Sequence, residues 1–216
     1  MEQTKTFSDK CRVWFKQFGD VCSRFLLRIG LTANAVTIIG CVGHLFAAYL
    51  AAIGQFTWAG VLLLFFAVTD FFDGTMSRMA NNGKGTRFGE VLDSTTDRYA
   101  EFMIFGGLIY YYATRGDHLS MMVSYAAIMG AILVSYTRAK GEIVGLNMKL
   151  GLMSRLERYL FLVPCLLFNI PFIAMWAIAL GSHFTAIQRM LYMHKEFKRL
   201  DSENAAANPD SGRPAN

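Results

Sequence analysis

The chain has 216 residues, of which 54% are hydrophobic and only 17% are charged, and its mean hydropathy is +0.32. A soluble domain is about 45–50% apolar and about 25% charged, so this composition argues against a soluble protein and favours a membrane protein. The formal net charge is only +5 at pH 7, and no nucleic-acid partner is expected.

The segment before the first long apolar block is amphipathic. Residues 7–28 place apolar side chains, among them Val13, Trp14, Phe18 and Val21, opposite a basic face. This pattern is typical of a helix in the headgroup plane, although a solvated helix packed on protein would show it too. We predict that residues 1–32 form a cytoplasmic segment with an interfacial amphipathic helix.

Six apolar blocks follow, and each reaches transmembrane length when its flanks are included. A helix needs about 20 mainly apolar residues to cross a bilayer. The predicted fold class is an all-α integral membrane protein, with a six-helix transmembrane catalytic domain over residues 33–200. Residues 201–216 are polar and contain proline, which predicts a disordered cytoplasmic tail. The predicted spans are 35–54, 58–79, 89–113, 121–136, 153–170 and 172–192.

Basic residues alternate between the connections of these spans. The first and fifth connections have no Lys or Arg and the third has only Arg115, whereas the N-terminal segment, the other two connections and the tail are rich in them. Basic loops stay in the cytoplasm. Both termini and the connection at Lys84 are therefore predicted to face the cytoplasm, as is any site at that end of the spans.

Four aspartates interrupt the apolar pattern at the cytoplasmic ends of the second and third spans. Asp70 and Asp73 are three residues apart and Asp93 and Asp97 are four apart, so each pair shares one face of its helix. Carboxylates cost about 2.5–3.5 kcal/mol each in hydrocarbon, and four in one low-dielectric site would take up protons unless cations neutralised them. Mg²⁺ prefers such oxygen ligands, and paired ions are common in phosphoryl transfer. The pattern predicts a metal site.

Intramembrane acids also serve ion pathways, so a cation-coupled transporter is the alternative from another class. Transporters usually place such acids near the midplane on broken helices. Here the acids lie at one membrane face, beside glycines and basic residues. Acids that are merely solvated at the interface would not need helical spacing on two adjacent spans.

The spacing of these residues resembles the signature of the CDP-alcohol phosphotransferase family. Members are six-helix membrane enzymes that displace CMP from a CDP-linked substrate with an alcohol. Ser77 stands where the family usually has Ala, and the ten residues between Arg78 and Gly89 are more than usual. The motif reads Asp70-x-x-Asp73-Gly74-x-x-Ser77-Arg78, then Gly89-x-x-x-Asp93-x-x-x-Asp97.

The resemblance implies roles for individual residues. Asp70, Asp73 and Asp93 would bind two Mg²⁺ ions, with Mn²⁺ as the alternative, and Asp97 would be shared between the second ion and proton abstraction from the attacking hydroxyl. For Thr37, a hydroxyl that bonds its own helix backbone accounts for the residue equally well. The implied CDP-lipid contacts are Asn34, Thr37, Gly74, Arg78 and Thr86.

Further stretches resemble prokaryotic phosphatidylinositol phosphate synthases, namely GTRFGEVLDSTTDR, SYTRAKGE, GLMSRLER and AIQRM. They imply a cationic pocket for an anionic acceptor such as inositol phosphate. Two alternatives stay open: the residues only satisfy the positive-inside bias, or the acceptor is another alcohol, chiefly glycerol 3-phosphate. The implied acceptor contacts are Arg138, Lys140, Arg155, Arg158 and Arg189.

The activity that the resemblance implies is the transfer of a phosphatidyl group from CDP-diacylglycerol to a polar alcohol, with release of CMP. The implied partners are CDP-diacylglycerol, the alcohol and the surrounding membrane lipids. A homodimer is implied by family analogy alone.

Overall fold

Every secondary-structure element in the described part of the chain is a helix. The computed structural model describes residues 19–80, 84–148 and 150–207, and the side chains of all of these except 68–71 and 204–207. A helical segment over residues 19–28 precedes six helices. These are α1 (Ala33–Ala52), α2 (Phe56–Ala80), α3 (Arg87–Thr114), α4 (His118–Ile143), α5 (Arg155–Leu167) and α6 (Pro171–Ala207). The predicted all-α class is confirmed.

Side-chain caps mark where three of these helices begin. Thr32, Thr86 and Asp117 each accept a hydrogen bond from the backbone N–H three residues further on, at 3.2, 3.0 and 3.0 Å. Such caps satisfy one of the N–H groups that the first turn leaves without a partner. The hydroxyl and the N–H of Ser120 both donate to Asp117, and these two bonds hold the pKa of Asp117 below its usual range.

The most extensive helix contacts form a closed ring in the order α2, α1, α3, α4, α6 and α5, with α5 returning to α2. The apolar core lies between these helices, where Leu63, Leu108 and Ile178 are fully buried. Gly107 lets α3 approach α1 closely, because a side chain there would collide with the carbonyl oxygen of Ala48. The ring holds the six helices as one bundle.

Three helices, α1, α2 and α4, are long and apolar enough to cross a membrane. The described residues therefore support an all-helical membrane protein with three candidate spans. The number of six spans stays a prediction. α5 has only 13 residues, and the second half of α6 is polar. The part of α3 from Arg87 to Glu101 carries six charged residues: Arg87, Glu90, Asp93, Asp97, Arg98 and Glu101.

The first part of the predicted disordered tail, residues 201–216, is helical. α6 continues to Ala207, so residues 201–207 are helical. Arg199 contacts Glu196 at 2.9 Å and Glu203 at 3.3 Å, and such one-turn pairs support an exposed helix. A run of alanines then favours helix at its end. Residues 208–216 lie outside the described part.

The structure describes the predicted amphipathic segment only from residue 19 onward, so Val13, Trp14 and Phe18 lie outside the described residues. Within residues 19–28, Ser23 is buried and its hydroxyl donates to the carbonyl oxygen of Phe72 in α2, at 3.3 Å. Val21 and Phe25 are exposed on the other side. This segment therefore packs on α2 by one face and leaves an apolar face uncovered within the described structure.

The connections between helices differ at the two ends of the bundle. Residues 53–55, 115–117 and 168–170 form three-residue turns, and turns this short join antiparallel helices. They make three hairpins, α1–α2, α3–α4 and α5–α6. The longer connections, 81–86 and 144–154, join one hairpin to the next. The open ends of the three hairpins therefore lie together at the end of the bundle that carries the longer connections.

Candidate active site

Two cavities lie where the open ends of the hairpins meet. The first cavity, about 340 Å³, is lined by the start of α1, the end of α2 and the start of α3. The second cavity, about 600 Å³, is lined by α3, the end of α4, the start of α5 and one residue of α6. Glu90 and Asp93 line both cavities, so the two meet beside the first turns of α3.

Three of the four predicted metal-binding aspartates line these cavities. Asp73 and Asp93 line the first cavity, and Asp93 and Asp97 line the second. Asp73 is buried, and the hydroxyl of Thr37 donates to its Oδ2 at 2.6 Å. Asp70 belongs to α2, but its side chain lies outside the described part.

The residues present fit a divalent cation in donor type and in position. Mg²⁺ and Mn²⁺ prefer carboxylate oxygens, and the carboxylates of Asp73, Asp93 and Asp97 come from two helices that face the same pair of cavities. The bond from Thr37 orients Asp73 as outer-shell partners orient metal ligands. Among the described side chains no three acidic, His or Cys groups form a ready-made metal cage, and Asp70 is not among those side chains.

All five predicted CDP-lipid contacts line the first cavity: Asn34, Thr37, Gly74, Arg78 and Thr86. Thr86 caps α3 there, so the positive end of the α3 dipole faces the cavity. The start of a helix is a favourable place for a phosphate, because its N–H groups and its dipole both attract anions. The hydroxyl oxygen of Thr37 is also 3.1 Å from the carbonyl oxygen of Ala33, so Thr37 lines the cavity and contacts the backbone of its own helix.

Gly74 and Arg78 lie one turn apart on the α2 side of the first cavity. A Cβ atom on Gly74 would be 3.4 Å from Nη1 of Arg78, so the missing side chain leaves the helix backbone open to the cavity. Nη2 of Arg78 donates to the hydroxyl of Thr75 at 3.2 Å. This contact holds the arginine along α2, where its planar donors suit a phosphate.

Three of the five predicted acceptor contacts line the second cavity. Nη1 of Arg155 is 2.6 Å from Oδ1 of Asp97. Nε of Arg138 donates to Oε1 of Glu142 at 2.8 Å in an exposed pair. Arg189 is buried, and its guanidinium donates to two backbone carbonyl oxygens of neighbouring segments. Arg98 of α3 lines the second cavity as well, so this cavity has arginines from four helices.

The other two predicted acceptor contacts, Lys140 and Arg158, do not line the second cavity. Lys140 is exposed, with Nζ 5.7 Å from the ring centroid of Tyr136. It lies two residues after Arg138, and helix residues two apart do not face the same way. Arg158 is 1% exposed and is bonded to Glu101. It lies nearly one turn further along α5 than Arg155, which takes it into the protein interior.

The second cavity also has lining residues that the sequence reasoning missed. Glu90 could have been found, because it lies three residues before Asp93 and seven before Asp97, on the same helical face. Ser135, Tyr136 and Ser154 could not, since they come from α4 and from the connection before α5. The missed lining residues that carry hydroxyl or carboxylate groups are Glu90, Ser94, Ser135, Tyr136, Glu142 and Ser154.

Comparisons with known proteins agree with this arrangement. Residues 30–187 match the CDP-alcohol phosphatidyltransferase family model. A phosphatidylinositol phosphate synthase of Streptomyces avermitilis is 34% identical over 93% of this chain and 88% of that protein. One of Mycobacteroides abscessus is 35% identical, over 83% of this chain and 84% of its own.

Solved structures of the Mycobacterium tuberculosis phosphatidylinositol phosphate synthase have the same fold. The crystal structure with CDP-DAG bound matches with a TM-score of 0.75 and 30% identity, covering 81% of this chain and 92% of that one. The complex with manganese and citrate matches with the same TM-score and identity, covering 80% and 87%. The likeness therefore extends over most of both chains.

Proposed function

The chain belongs to the CDP-alcohol phosphatidyltransferase family, and we propose that it is a membrane phospholipid-synthesis enzyme that makes phosphatidylinositol phosphate. It transfers the phosphatidyl group of CDP-diacylglycerol to inositol phosphate and releases CMP. The relative of M. tuberculosis is solved with CDP-DAG and with manganese, which supports CDP-diacylglycerol as the donor and Mg²⁺ or Mn²⁺ as the cofactor.

One observation carries this proposal: Asp93 lies between a cavity suited to a diphosphate and a cavity lined by arginines. A transferase must hold the phosphorus of one substrate next to the hydroxyl of the other. A shared acidic residue places both at the same carboxylate. The charges on either side match a nucleotide diphosphate and an anionic alcohol.

On the donor side, we assign the diphosphate to the first cavity, between Arg78 and the start of α3. Gly74 lets the nucleotide approach the α2 backbone. Asp70, Asp73, Asp93 and Asp97 would hold two divalent ions. When bound, such ions act as Lewis acids that draw negative charge from the phosphoryl oxygens.

On the acceptor side, Asp97 takes the proton of the attacking hydroxyl. That oxygen then forms a bond to the lipid-side phosphorus, the bond between this phosphorus and the bridging oxygen breaks, and CMP leaves with the other phosphate. Arg155 orients Asp97 through their 2.6 Å contact. A guanidinium has five N–H donors, so Arg155 can hold Asp97 with one N–H group and bind the acceptor phosphate with its remaining N–H groups.

The acceptor's own phosphate is assigned to Arg138, Arg155 and Arg189, which keep it away from the reacting hydroxyl. Hydroxyl groups of Ser135 and Ser154 line the same cavity, and they suit the hydroxyls of a polyol. These features favour inositol phosphate over glycerol 3-phosphate, which has fewer hydroxyls to bind.

The direct test is an assay of the purified protein with radiolabelled CDP-diacylglycerol, Mg²⁺ and a panel of polar alcohols. CMP release and lipid product should appear with inositol phosphate. Turnover with glycerol 3-phosphate but not with inositol phosphate would agree with the proposed reaction class and would contradict inositol phosphate as the acceptor. A protein that releases no CMP with any alcohol, but carries cations across vesicles, would support the transporter instead.

Removing an acceptor arginine should weaken the acceptor and spare the donor. Arg155→Ala or Arg189→Ala deletes a charge-assisted bond worth about 1.5–3 kcal/mol. The KM for inositol phosphate should then rise roughly ten- to a hundred-fold, and the KM for CDP-diacylglycerol should change little. Steady-state kinetics with each substrate varied in turn measures both values.

Arg199→Ala is the matched control for these variants, because it removes an exposed arginine of α6 that only pairs with Glu196 and Glu203. It should leave both KM values at the parental level. Equal loss of affinity for both substrates in Arg155→Ala and Arg189→Ala would show that these arginines are structural, and the acceptor pocket would have to lie elsewhere.

We propose that all six helices span the membrane, with residues 1–32 and the tail in the cytoplasm. Several features support this topology. The three short turns at one end of the bundle contain a single basic residue, Arg115, whereas the longer connections and the cavities lie at the other end. The exposed apolar residues of the 19–28 segment, beside Arg24 and Arg28, suit an anionic lipid surface. Family analogy supports a homodimer.

Single-cysteine labelling should reveal this topology. In a variant without its four native cysteines, Gln55→Cys and Gly116→Cys should react with a membrane-impermeant maleimide in intact cells. Lys84→Cys should react only after the membrane is opened, since basic loops stay inside. Labelling of Lys84→Cys in intact cells, or the same pattern at all three positions, would contradict six spans with this orientation.

A further inference from the structure

A second ion pair lies one turn deeper than the Asp97–Arg155 contact. Glu101 follows Asp97 by four residues on α3, and Arg158 follows Arg155 by three on α5. Nε and Nη2 of Arg158 are 2.9 and 2.5 Å from Oε1 of Glu101, and the two side chains are 1% and 4% exposed. Neither residue lines the first or the second cavity.

Stability alone is a weak reason to keep such a pair. Two charges lose their hydration on burial, and replacing a buried ion pair by apolar residues of similar size is often neutral or stabilising. Charges inside a membrane bundle are costly as well, and they usually mark a functional arrangement. Besides its two bonds to Glu101, Arg158 makes a third hydrogen bond, to the carbonyl oxygen of Met153, and this bond suggests a role for the pair.

Arg158 also holds the backbone that leads into α5. Its Nη1 donates to the carbonyl oxygen of Met153 at 3.0 Å, and the N–H of Met153 donates to the hydroxyl of Thr185 at 3.1 Å. Met153 is thus fixed from both sides by side chains of α5 and α6. The next two residues, Ser154 and Arg155, line the second cavity.

Nearby contacts hold the same segment at its start. Nε of Arg189 donates to the carbonyl oxygen of Leu150 at 2.8 Å. Gly151 has φ +128°, and a side chain there would collide with Thr185. The side chain of Ser154 makes no capping bond to the backbone of α5. The first turn is instead held by the Arg158 and Thr185 contacts, together with the Asp97–Arg155 and Ser154–Glu157 contacts.

We propose that Glu101 and Arg158 are positioning residues for the acceptor. Glu101 orients Arg158, Arg158 fixes the Met153 carbonyl, and this places Ser154 and Arg155 against the second cavity. The inference rests on the proposed acceptor site in that cavity. It predicts a loss of acceptor affinity from a pair of side chains that do not touch the acceptor.

The test separates positioning from stability with three variants. Glu101→Gln and Arg158→Lys each weaken the ion pair, and the double variant Glu101→Leu/Arg158→Met replaces it by apolar side chains that can pack. Leu63→Ala is the control for destabilisation, because Leu63 is fully buried in the apolar core and lines neither cavity. For each purified protein we would measure Tm, the KM for inositol phosphate and the KM for CDP-diacylglycerol.

We expect all three ion-pair variants to raise the KM for inositol phosphate by roughly ten-fold or more, because a small misplacement of positioning residues can have effects of this size. The KM for CDP-diacylglycerol should stay near the parental value. The double variant should keep or exceed the parental Tm and still bind the acceptor weakly. Leu63→Ala should lower Tm and leave the acceptor KM unchanged.

A parental acceptor KM in the double variant would overturn the inference, because the ion pair would then serve stability only. A similar rise of the acceptor KM in Leu63→Ala would overturn the inference too, because lowered stability alone would then explain the loss of affinity. If the parent enzyme ignores inositol phosphate, the proposed acceptor fails instead. The same variants would then be measured with the phosphorylated alcohol that the parent accepts, with the same two overturning results.

Discussion

Replacement of Asp93 by Asn is expected to abolish CMP release from CDP-diacylglycerol. Asp93 is the one predicted metal ligand that lines both cavities in the described part of the site, so its charge acts on the donor and on the acceptor. Loss of an outer-shell partner of a metal typically costs 10- to 100-fold in activity, and loss of a ligand charge should cost more than about 100-fold. EDTA should have the same effect on the unmodified enzyme.

The same result is expected for Asp70→Asn, Asp73→Asn and Asp97→Asn, measured as CMP release and as Mn²⁺ bound to the purified protein. Asp117→Asn is the control, because Asp117 caps α4 in the turn between α3 and α4 and Asn caps a helix as well as Asp does. Near-normal turnover in EDTA, or in any one of the four variants, would rule out the two-metal proposal.

The second large effect is expected from Gly74→Val, which should abolish binding of CDP-diacylglycerol. A Cβ atom at this position would already lie 3.4 Å from Nη1 of Arg78. The two further methyl groups of Val would extend into the first cavity, where the nucleotide is proposed to lie. The Kd for CDP-diacylglycerol, or for CDP as a soluble probe, measures the loss.

Two other glycine variants make this prediction specific. Gly74→Ala adds only the Cβ atom and should have an intermediate effect. Gly106→Val puts the same side chain on α3 at a position with nothing within 4 Å of the new Cβ, so it should bind CDP compounds as the parent does. Parental binding by Gly74→Val would place the nucleotide elsewhere and overturn the assignment of the first cavity.

The acidic cluster and the α2 and α3 sides of the first cavity were largely predictable from the sequence. Their residues lie on two helices that follow each other in the chain, at spacings of three and four. Helix geometry converts such spacings into a shared face without any knowledge of packing. This is why Asp73, Gly74 and Arg78 share the cavity side of α2. Asn34, Thr37 and Thr86 were implied by the family resemblance alone, and α1 reaches the same cavity because it packs against α2 and α3. The ten-residue spacing after Arg78 did not disturb that arrangement.

The second cavity was predictable only in part. A cluster of basic residues in a loop shows that a cationic surface exists, but each side chain's direction depends on how its helix is rotated against its neighbours. Arg155 and Arg158 are three residues apart on α5, yet one lines the second cavity and the other is buried against Glu101. Lys140 lies outside the lining of this cavity for the same reason, since the side of α4 that faces the cavity is set by α3 and α6.

Hydropathy likewise identified the all-helical class but could not describe every span. α3 carries charged residues of the candidate site along its first half, and these residues lower its average hydropathy below that of an ordinary membrane span. α6 continues to Ala207, further than the polar composition of the tail predicted. Pairs one turn apart, such as Arg199 with Glu203, support this part of the helix.

The sequence by itself determined which helices form, which end of them bears the acids, and which residues share a face with those acids. These features follow from local spacing, because the geometry of a helix is the same wherever it packs. Only the tertiary structure decided which basic residues reach the second cavity and that Glu101 pairs with Arg158. These residues are 57 positions apart, and their contact depends on how α3 and α5 pack across the bundle, which no local pattern encodes.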